Sequence, residues 1–299
     1  MKPSSPLTNS TNVKLLKEVP TEHIIQGYKN GLGIDVSEYF KEQDSIQLYE
    51  CLDTSIQFFY PIQKMGDSKF YEQLQSFDWY YMDWKWENQI ILDSVKPNNK
   101  ILEIGSGGGS FVKRLTELSY NITGLEMNQN SIEKAKLLNY KILGESIQEH
   151  ADKNQEKYDL VCSFQVMEHI PELKEVITSS IKSLKSKGRL FISVPNNSSF
   201  IGEDTENILN MPPHHFSLWD KNVFMSLEKK FPIDLKKIYF EPIQVYHYEY
   251  FHNVKLKVLK SIFSKIFYEN FYKVIIFPLI KNFPSVIPGF TIIGEFEKR

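Results

Sequence analysis

The segment ILEIGSGGGSF, residues 101–111, constrains this chain more than any other stretch. An apolar strand pattern ends there, four glycines fall within five positions (Gly105, Gly107, Gly108 and Gly109), and an amphipathic helical pattern begins. Glycines at such a junction permit a tight turn and let a ligand approach bare backbone. The helix that follows offers free N–H groups in its first turn. The alternation continues downstream. KILEI (100–104), NITGLEM (121–127), YKILG (140–144), YDLVCSF (158–164), RLFISVP (189–195) and IDLKKIYF (233–240) read as strands. SFVKRLTEL (110–118), SIEKAKLL (131–138), the segment 172–188 with Gly188 as its C-cap, and DKNVFMSLEKKF (220–231) read as helices. Near-continuous apolar strands between amphipathic helices require a mostly parallel sheet covered on both faces, a doubly wound α/β architecture. FTIIGEFEK (290–298) reads as one last strand.

The flanks differ from this core, which spans residues 80–242. Residues 1–20 are rich in Pro, Ser, Thr and Asn and read as a disordered tail. Residues 21–79 form an N-terminal extension, with short strands in QLYECLDTSIQFFYP that end at Pro61. An aromatic cluster follows, with Phe70, Tyr71, Phe77, Trp79, Tyr80, Tyr81, Trp84 and Trp86, and a helix is expected over 83–95. Tyr71, Trp79 and Tyr81 are its candidates for a lid or acceptor platform. Residues 243–289 read as a basic helical cap inserted before the last strand, 290–299. Within it, residues 250–285 carry Lys255, Lys257, Lys260, Lys265, Lys273 and Lys281 against a single acid, Glu269, with Leu, Ile, Phe and Val at helical spacing.

Charge is nearly balanced, 35 basic against 37 acidic side chains, which argues against a dedicated nucleic-acid binder. The first residues lack the apolar core of a signal peptide, and no apolar run is long enough to cross a bilayer. Cys51 and Cys162 exclude a disulfide framework or a four-thiolate zinc site within the chain. A reduced, cytoplasmic setting is the expectation. The basic apolar stretch 250–285 fits either a cap over the acceptor pocket or contact with an anionic inner membrane surface.

Two ligand classes use a glycine loop of this kind. A dinucleotide places its pyrophosphate on the helix N-terminus. S-adenosylmethionine instead brings a sulfonium and an ammonium cation. Ser110 stands where a dinucleotide loop has its last glycine, and Glu103 would repel a pyrophosphate while attracting a cation. Glu126, at the end of the second strand, suits the two hydroxyls of a ribose, a feature common to both classes. The residues favour S-adenosylmethionine over NAD.

At this point the sequence resembles the class I S-adenosylmethionine-dependent methyltransferases over roughly residues 80–240. ILEIGSGGGSF resembles their first motif, GLEMN their second-strand acid motif, LGESI (143–147) their acidic turn, YDLVCSFQVMEHI (158–170) the fourth-strand motif and GRLFISVPN (188–196) the fifth. The resemblance implies a Rossmann-like, seven-stranded, mostly parallel sheet with an antiparallel last strand. It implies that Glu103, Gly105, Ser106, Gly107 and Gly109 hold the methionine part of the cofactor. It places Glu126 at the ribose, Met127 on the adenine, and Glu145, Ser146 and Ile147 around the adenine edge. Phe164 and Gln165 fall beside the sulfonium. Some relatives carry a CxxCG zinc ribbon before FFYP; here Thr54 replaces the second thiol, so a metal-free remnant is expected and no metal site is assigned.

Methyl transfer to a hydroxyl calls for a general base, and histidine suits neutral pH. His169 in MEHIP, and His214 and His215 in NMPPHHFSLWD, lie after strands, where loops of an open α/β sheet form the ligand crevice. These three are the catalytic candidates. The expected function is O-methylation of a small molecule, a sugar or a glycan precursor. The rival readings are a non-catalytic S-adenosylmethionine-binding relative serving as a scaffold, and a nicotinamide-dependent oxidoreductase. The oligomeric state is left open.

Overall fold

The structure, a computed structural model, describes residues 3–77, 80, 82–259 and 262–299. Eleven strands form two sheets among the described residues. The first sheet joins β1 (Val13–Pro20), β2 (Ser45–Cys51) and β3 (Gln57–Tyr60) in antiparallel order. The second contains β4 (Lys100–Ile104), β5 (Asn121–Leu125), β6 (Ile142–Leu143), β7 (Tyr158–Phe164) and β8 (Leu184–Pro195), all parallel to their neighbours in this set. β9 (Ser217–Leu218) returns to the first sheet as its fourth strand, against β3. β10 (Ile233–Pro242) and β11 (Pro288–Lys298) complete the large sheet, whose order is β10-β11-β8-β7-β4-β5-β6. β11 inserts antiparallel between β10 and β8. This is the seven-stranded, mostly parallel α/β sheet expected above.

The central strands are apolar on both faces. Leu160, Val161 and Cys162 of β7 and Leu190, Phe191 and Ile192 of β8 are fully buried. One face packs against Phe111, Val112 and Leu115 of the helix Ser110–Glu117, together with Ile91. The other packs against Val176, Ile177 and Ile181 of Leu173–Ser183 and Val223, Phe224 and Leu227 of Lys221–Lys230. Each such side chain gains roughly 1.5–3 kcal/mol on full burial. Gly294 of β11 leaves room for the Phe224 ring, which a Cβ would meet at 2.9 Å.

Two expectations are corrected. Residues 13–20 are not a disordered tail: they pair with β2 from Val13↔Cys51 to Pro20↔Ser45, and Ser5 and Leu7 are buried. Gly188 does not cap a helix. The helix ends at Ser183, and Gly188 lies inside β8, behind a register shift where Lys187 adopts a positive φ of 61°.

The aromatic cluster serves the N-terminal sheet. Phe70, on the helix Ser68–Gln75, packs edge-on against Tyr28, Tyr39 and Tyr71. Trp79 and Tyr81 lie outside the described residues. The expected helix near 83–95 runs over Trp86–Ser94. Cys51 and Thr54 are both buried. Residues 243–289 are mainly helical, with an inner cluster of Phe251, Val254, Tyr272 and Ile280 against Phe200 and Ile201.

Candidate functional site

The glycine loop leaves β4 at Ile104 and enters its helix at Ser110. Gly105 and Gly109 have φ of +67° and +77°, the left-handed region that disfavours other residues. A Cβ on Gly105 would also collide with Val166, and one on Gly109 with Ile142. The loop is anchored from β5: the Ser106 amide donates to the Leu125 carbonyl at 2.9 Å. The Gly107 amide donates to the Glu126 carboxylate at 2.6 Å, and that carboxylate also accepts from the amides of Met127 and Asn128.

Glu103 is buried, and its Oε2 finds no hydrogen-bond partner among the described residues. Burial, and next the Glu126 charge, push its carboxyl well above the usual range. An orphaned acid under a glycine cradle fits a ligand that brings a cation. S-adenosylmethionine meets that requirement and a pyrophosphate does not. Glu103, the Gly105–Gly109 loop and Glu126 would hold it, and it would supply an electrophilic methyl group.

The other expected cofactor residues gather at the carboxyl ends of β5, β6 and β7. Met127 is exposed. Glu145 is half-buried, and His150 Nδ1 lies 2.6 Å from its carboxylate. Ser146 caps the helix Ile147–Lys153 in a reciprocal pair with Glu149, and Ile147 is buried below. Phe164 packs edge-on against Phe111 at 4.9 Å. Gln165, with φ of 53°, turns the chain after β7, and its amide faces Ser193 at 3.3 Å and Glu87 at 3.4 Å.

The three candidate histidines converge, although His169 lies 45 residues before the adjacent pair His214 and His215. Ring centroids are 4.4 Å apart for His214–His215, 4.7 Å for His169–His214 and 5.0 Å for His169–His215. His169 Nδ1 donates to the His214 carbonyl at 2.6 Å, and His214 Nδ1 donates to the Leu209 carbonyl at 2.9 Å. His215 Nδ1 faces Asn210 Oδ1 at 3.1 Å. Tyr80 brings its hydroxyl to His214 Nε2 at 3.0 Å, and Phe70 and Tyr71 wall the cluster. Burial pushes His169 down to about 4, against the pull of the His214 and Gln165 carbonyls. Burial, and then the neighbouring rings, push His214 and His215 well below their usual range. All three are neutral at pH 7.

Several residues are not among the sequence-predicted site residues. Glu87, Glu168 and Glu241 are buried carboxyls. Burial raises all three, Glu168 to about 8 and Glu241 to about 7. Asn210 and Tyr80 orient the histidines. Only burial distinguishes these side chains from surface ones, and burial is a tertiary property.

A methyltransferase-domain family matches residues 85–232. The ubiquinone biosynthesis O-methyltransferase of Erwinia tasmaniensis is 30% identical over 106 residues, 33% of this chain and 44% of that protein. The protein of the same name from Hydrogenovibrio crunogenus is 29% identical over 136 residues, 42% of this chain and 56% of its own length. The chain thus spans about half the length of these curated relatives. Among solved structures, a SAM-dependent methyltransferase from Archaeoglobus fulgidus is 18% identical with a TM-score of 0.49, covering 71% of this chain and 91% of that one. Residues 85–232 belong to the class I methyltransferases, whose methyl donor is S-adenosylmethionine.

Proposed function

We propose that the chain methylates a hydroxyl group on a small molecule, a sugar or a glycan precursor. The observation that carries this reading is the segment 165–169. Val166 packs where Gly105 has no side chain, and three residues later His169 enters the histidine cluster. One short segment therefore links the cofactor loop to three neutral imidazoles. A neutral imidazole accepts a hydroxyl proton, and His169 and His215 are the members best placed to do so through Nε2. Holding donor and acceptor in register supplies most of the acceleration in such reactions, up to about 7–11 kcal/mol in intramolecular cases.

A cleft of about 350 Å³, lined by polar and apolar side chains alike, supports a small-molecule acceptor that carries hydroxyls. Asn197, Asp204 and Asn210 line it together with Leu48, Phe59 and Trp219. Asn210 belongs to both places, since it also bonds His215. The curated relatives are named as O-methyltransferases, which is consistent with an oxygen acceptor.

The test is methyl transfer from labelled S-adenosylmethionine to a panel of phenols, sugars and lipid-linked glycans by the full-length chain. Labelled O-methyl product, abolished by Gly107→Arg, supports the reading. Cofactor binding without turnover on any acceptor favours the scaffold alternative.

The cap supports contact with a membrane surface. Among the described residues no helix is long and apolar enough to cross a bilayer. Phe263, Ile266, Phe267, Val274 and Ile275 are nevertheless exposed, with Lys265 and Lys273 among them. An apolar face mixed with lysines suits an anionic lipid surface, where each lysine contributes about 1 kcal/mol.

A further inference from the structure

The histidine cluster has features that proton transfer alone does not require. One ring nitrogen from each of His169, His214 and His215 lies within 4.8 Å of the other two. In all three rings Nδ1 is already engaged, by the His214 carbonyl, the Leu209 carbonyl and Asn210 respectively. That leaves each Nε2 as the lone-pair side of the ring. Imidazoles oriented this way, with the second nitrogen tied to an oxygen, are the usual form of metal-ligating histidine. Glu168 lies beside His169 but outside this group of three nitrogens: its carboxylate is 1% exposed, neither oxygen has a hydrogen-bond partner among the described residues, and Oε1 lies 3.8 Å from His169 Nε2.

We infer that His169, His214 and His215 bind one divalent transition-metal ion. Three imidazoles with a fourth position open suit zinc, iron(II), cobalt(II) or nickel(II), and not magnesium, which prefers oxygen alone. Ligands on a tetrahedral ion at about 2.1 Å stand roughly 3.4 Å apart, so the cluster contracts modestly on binding. The His214 and His215 rings, now 19° apart in plane, tilt toward one another, and the Tyr80 hydroxyl moves off His214 Nε2 or joins the ion.

The inference deepens the proposed function and rests on it only for its consequence. A loaded ion, rather than an imidazole, would hold the acceptor hydroxyl and lower its pKa. The acceptor is then an oxygen compound able to bind a metal through its hydroxyl.

The experiment uses the full-length chain, stripped with chelator and titrated with cobalt(II) chloride. Visible absorption reports the ligand field, and calorimetry with S-adenosylhomocysteine is run in parallel on every sample. One equivalent of cobalt with a ligand-field band, displaced by zinc and not by magnesium, is expected. His214→Gln and His215→Gln should lose the band while keeping S-adenosylhomocysteine binding. Asn210→Ala, which removes no ligand, should weaken cobalt binding about tenfold or more. Absence of a stoichiometric band overturns the inference, as does a band that both histidine variants retain. Should those variants fail to fold, unchanged cobalt affinity in Asn210→Ala overturns it equally. Cobalt bound without S-adenosylhomocysteine leaves the metal site standing and removes the methyltransferase reading. The reverse result removes the metal site alone.

Discussion

The Gly107 amide and the Glu126 carboxylate, 2.6 Å apart, make the glycine loop and the acid after β5 one hydrogen-bonded unit. Glu126→Ala removes both the loop anchor and the proposed ribose acceptor. Hydrogen bonds to a charged group contribute about 1.5–3 kcal/mol, so S-adenosylhomocysteine affinity should fall by roughly 10- to 100-fold. Titration calorimetry reads this directly, and unchanged affinity would remove Glu126 from the cofactor site.

Glu103 is expected to be a residue the ligand-free fold would be better without. A carboxyl raised in the folded state loses stability as pH rises from its unfolded value toward its folded one. Glu103→Gln therefore raises the melting temperature of the ligand-free chain at pH 8 by a few degrees. It should also lower the affinity for S-adenosylmethionine. A variant that gains no stability, or binds the cofactor as well as the parent, contradicts the role assigned here.

Glu241 gives a separate pH signature. Burial, then the Glu87 charge, lifts it to about 7, opposed by the Thr291 amide that donates to it at 2.9 Å. Its contribution is intact below about 4.5 and is lost as pH climbs through 7, at a cost on the order of 3 kcal/mol. His247 acts in the opposite direction, since burial pushes it down to about 4 and its contribution fades as pH falls from about 6.5 to 4. Denaturant melts of Glu241→Gln between pH 5 and 8 should show a flatter decline than the parent. Parallel curves would mean that Glu241 is ionised without penalty.

Membrane contact is tested with vesicles. Phe263 and Phe267 are more than half exposed, and replacing both with Glu reverses the chemistry of the face while sparing the inner cluster around Phe251 and Tyr272. The parent should float with vesicles containing anionic lipid and lose this at high salt; the double variant should stay in solution. Flotation of both, or of neither, argues against the cap as the docking surface.

The large sheet was legible because its signals are local. KILEI and YDLVCSF are too apolar for a half-exposed strand, and the glycines mark one junction. The strand Val13–Pro20 was missed because polar residues precede it and its partner, Ser45–Cys51, lies across an intervening helix. Gly188 followed a helical pattern but joined β8, since the pairing of Tyr158 with Leu184 starts the strand early. The histidines were visible as residue types after strands. Their convergence was not, because it depends on the route from β8 to β9. The buried acids Glu87, Glu168 and Glu241 look like ordinary surface carboxylates until the chain closes over them.

That route has a consequence for dissecting the molecule. β9 directly follows His214, His215 and Phe216, and it is held by β3 of the N-terminal sheet, where Phe59 donates its amide to the Phe216 carbonyl at 3.0 Å. The histidines of the catalytic half are thus suspended from residues that lie outside the recognisable domain. A fragment cut to residues 85–232 would keep the glycine loop and every histidine of the cluster. It would lose the scaffolding that sets their positions, along with β10 and β11 at one edge of the large sheet. Keeping the histidine cluster in place therefore takes residues from both sheets.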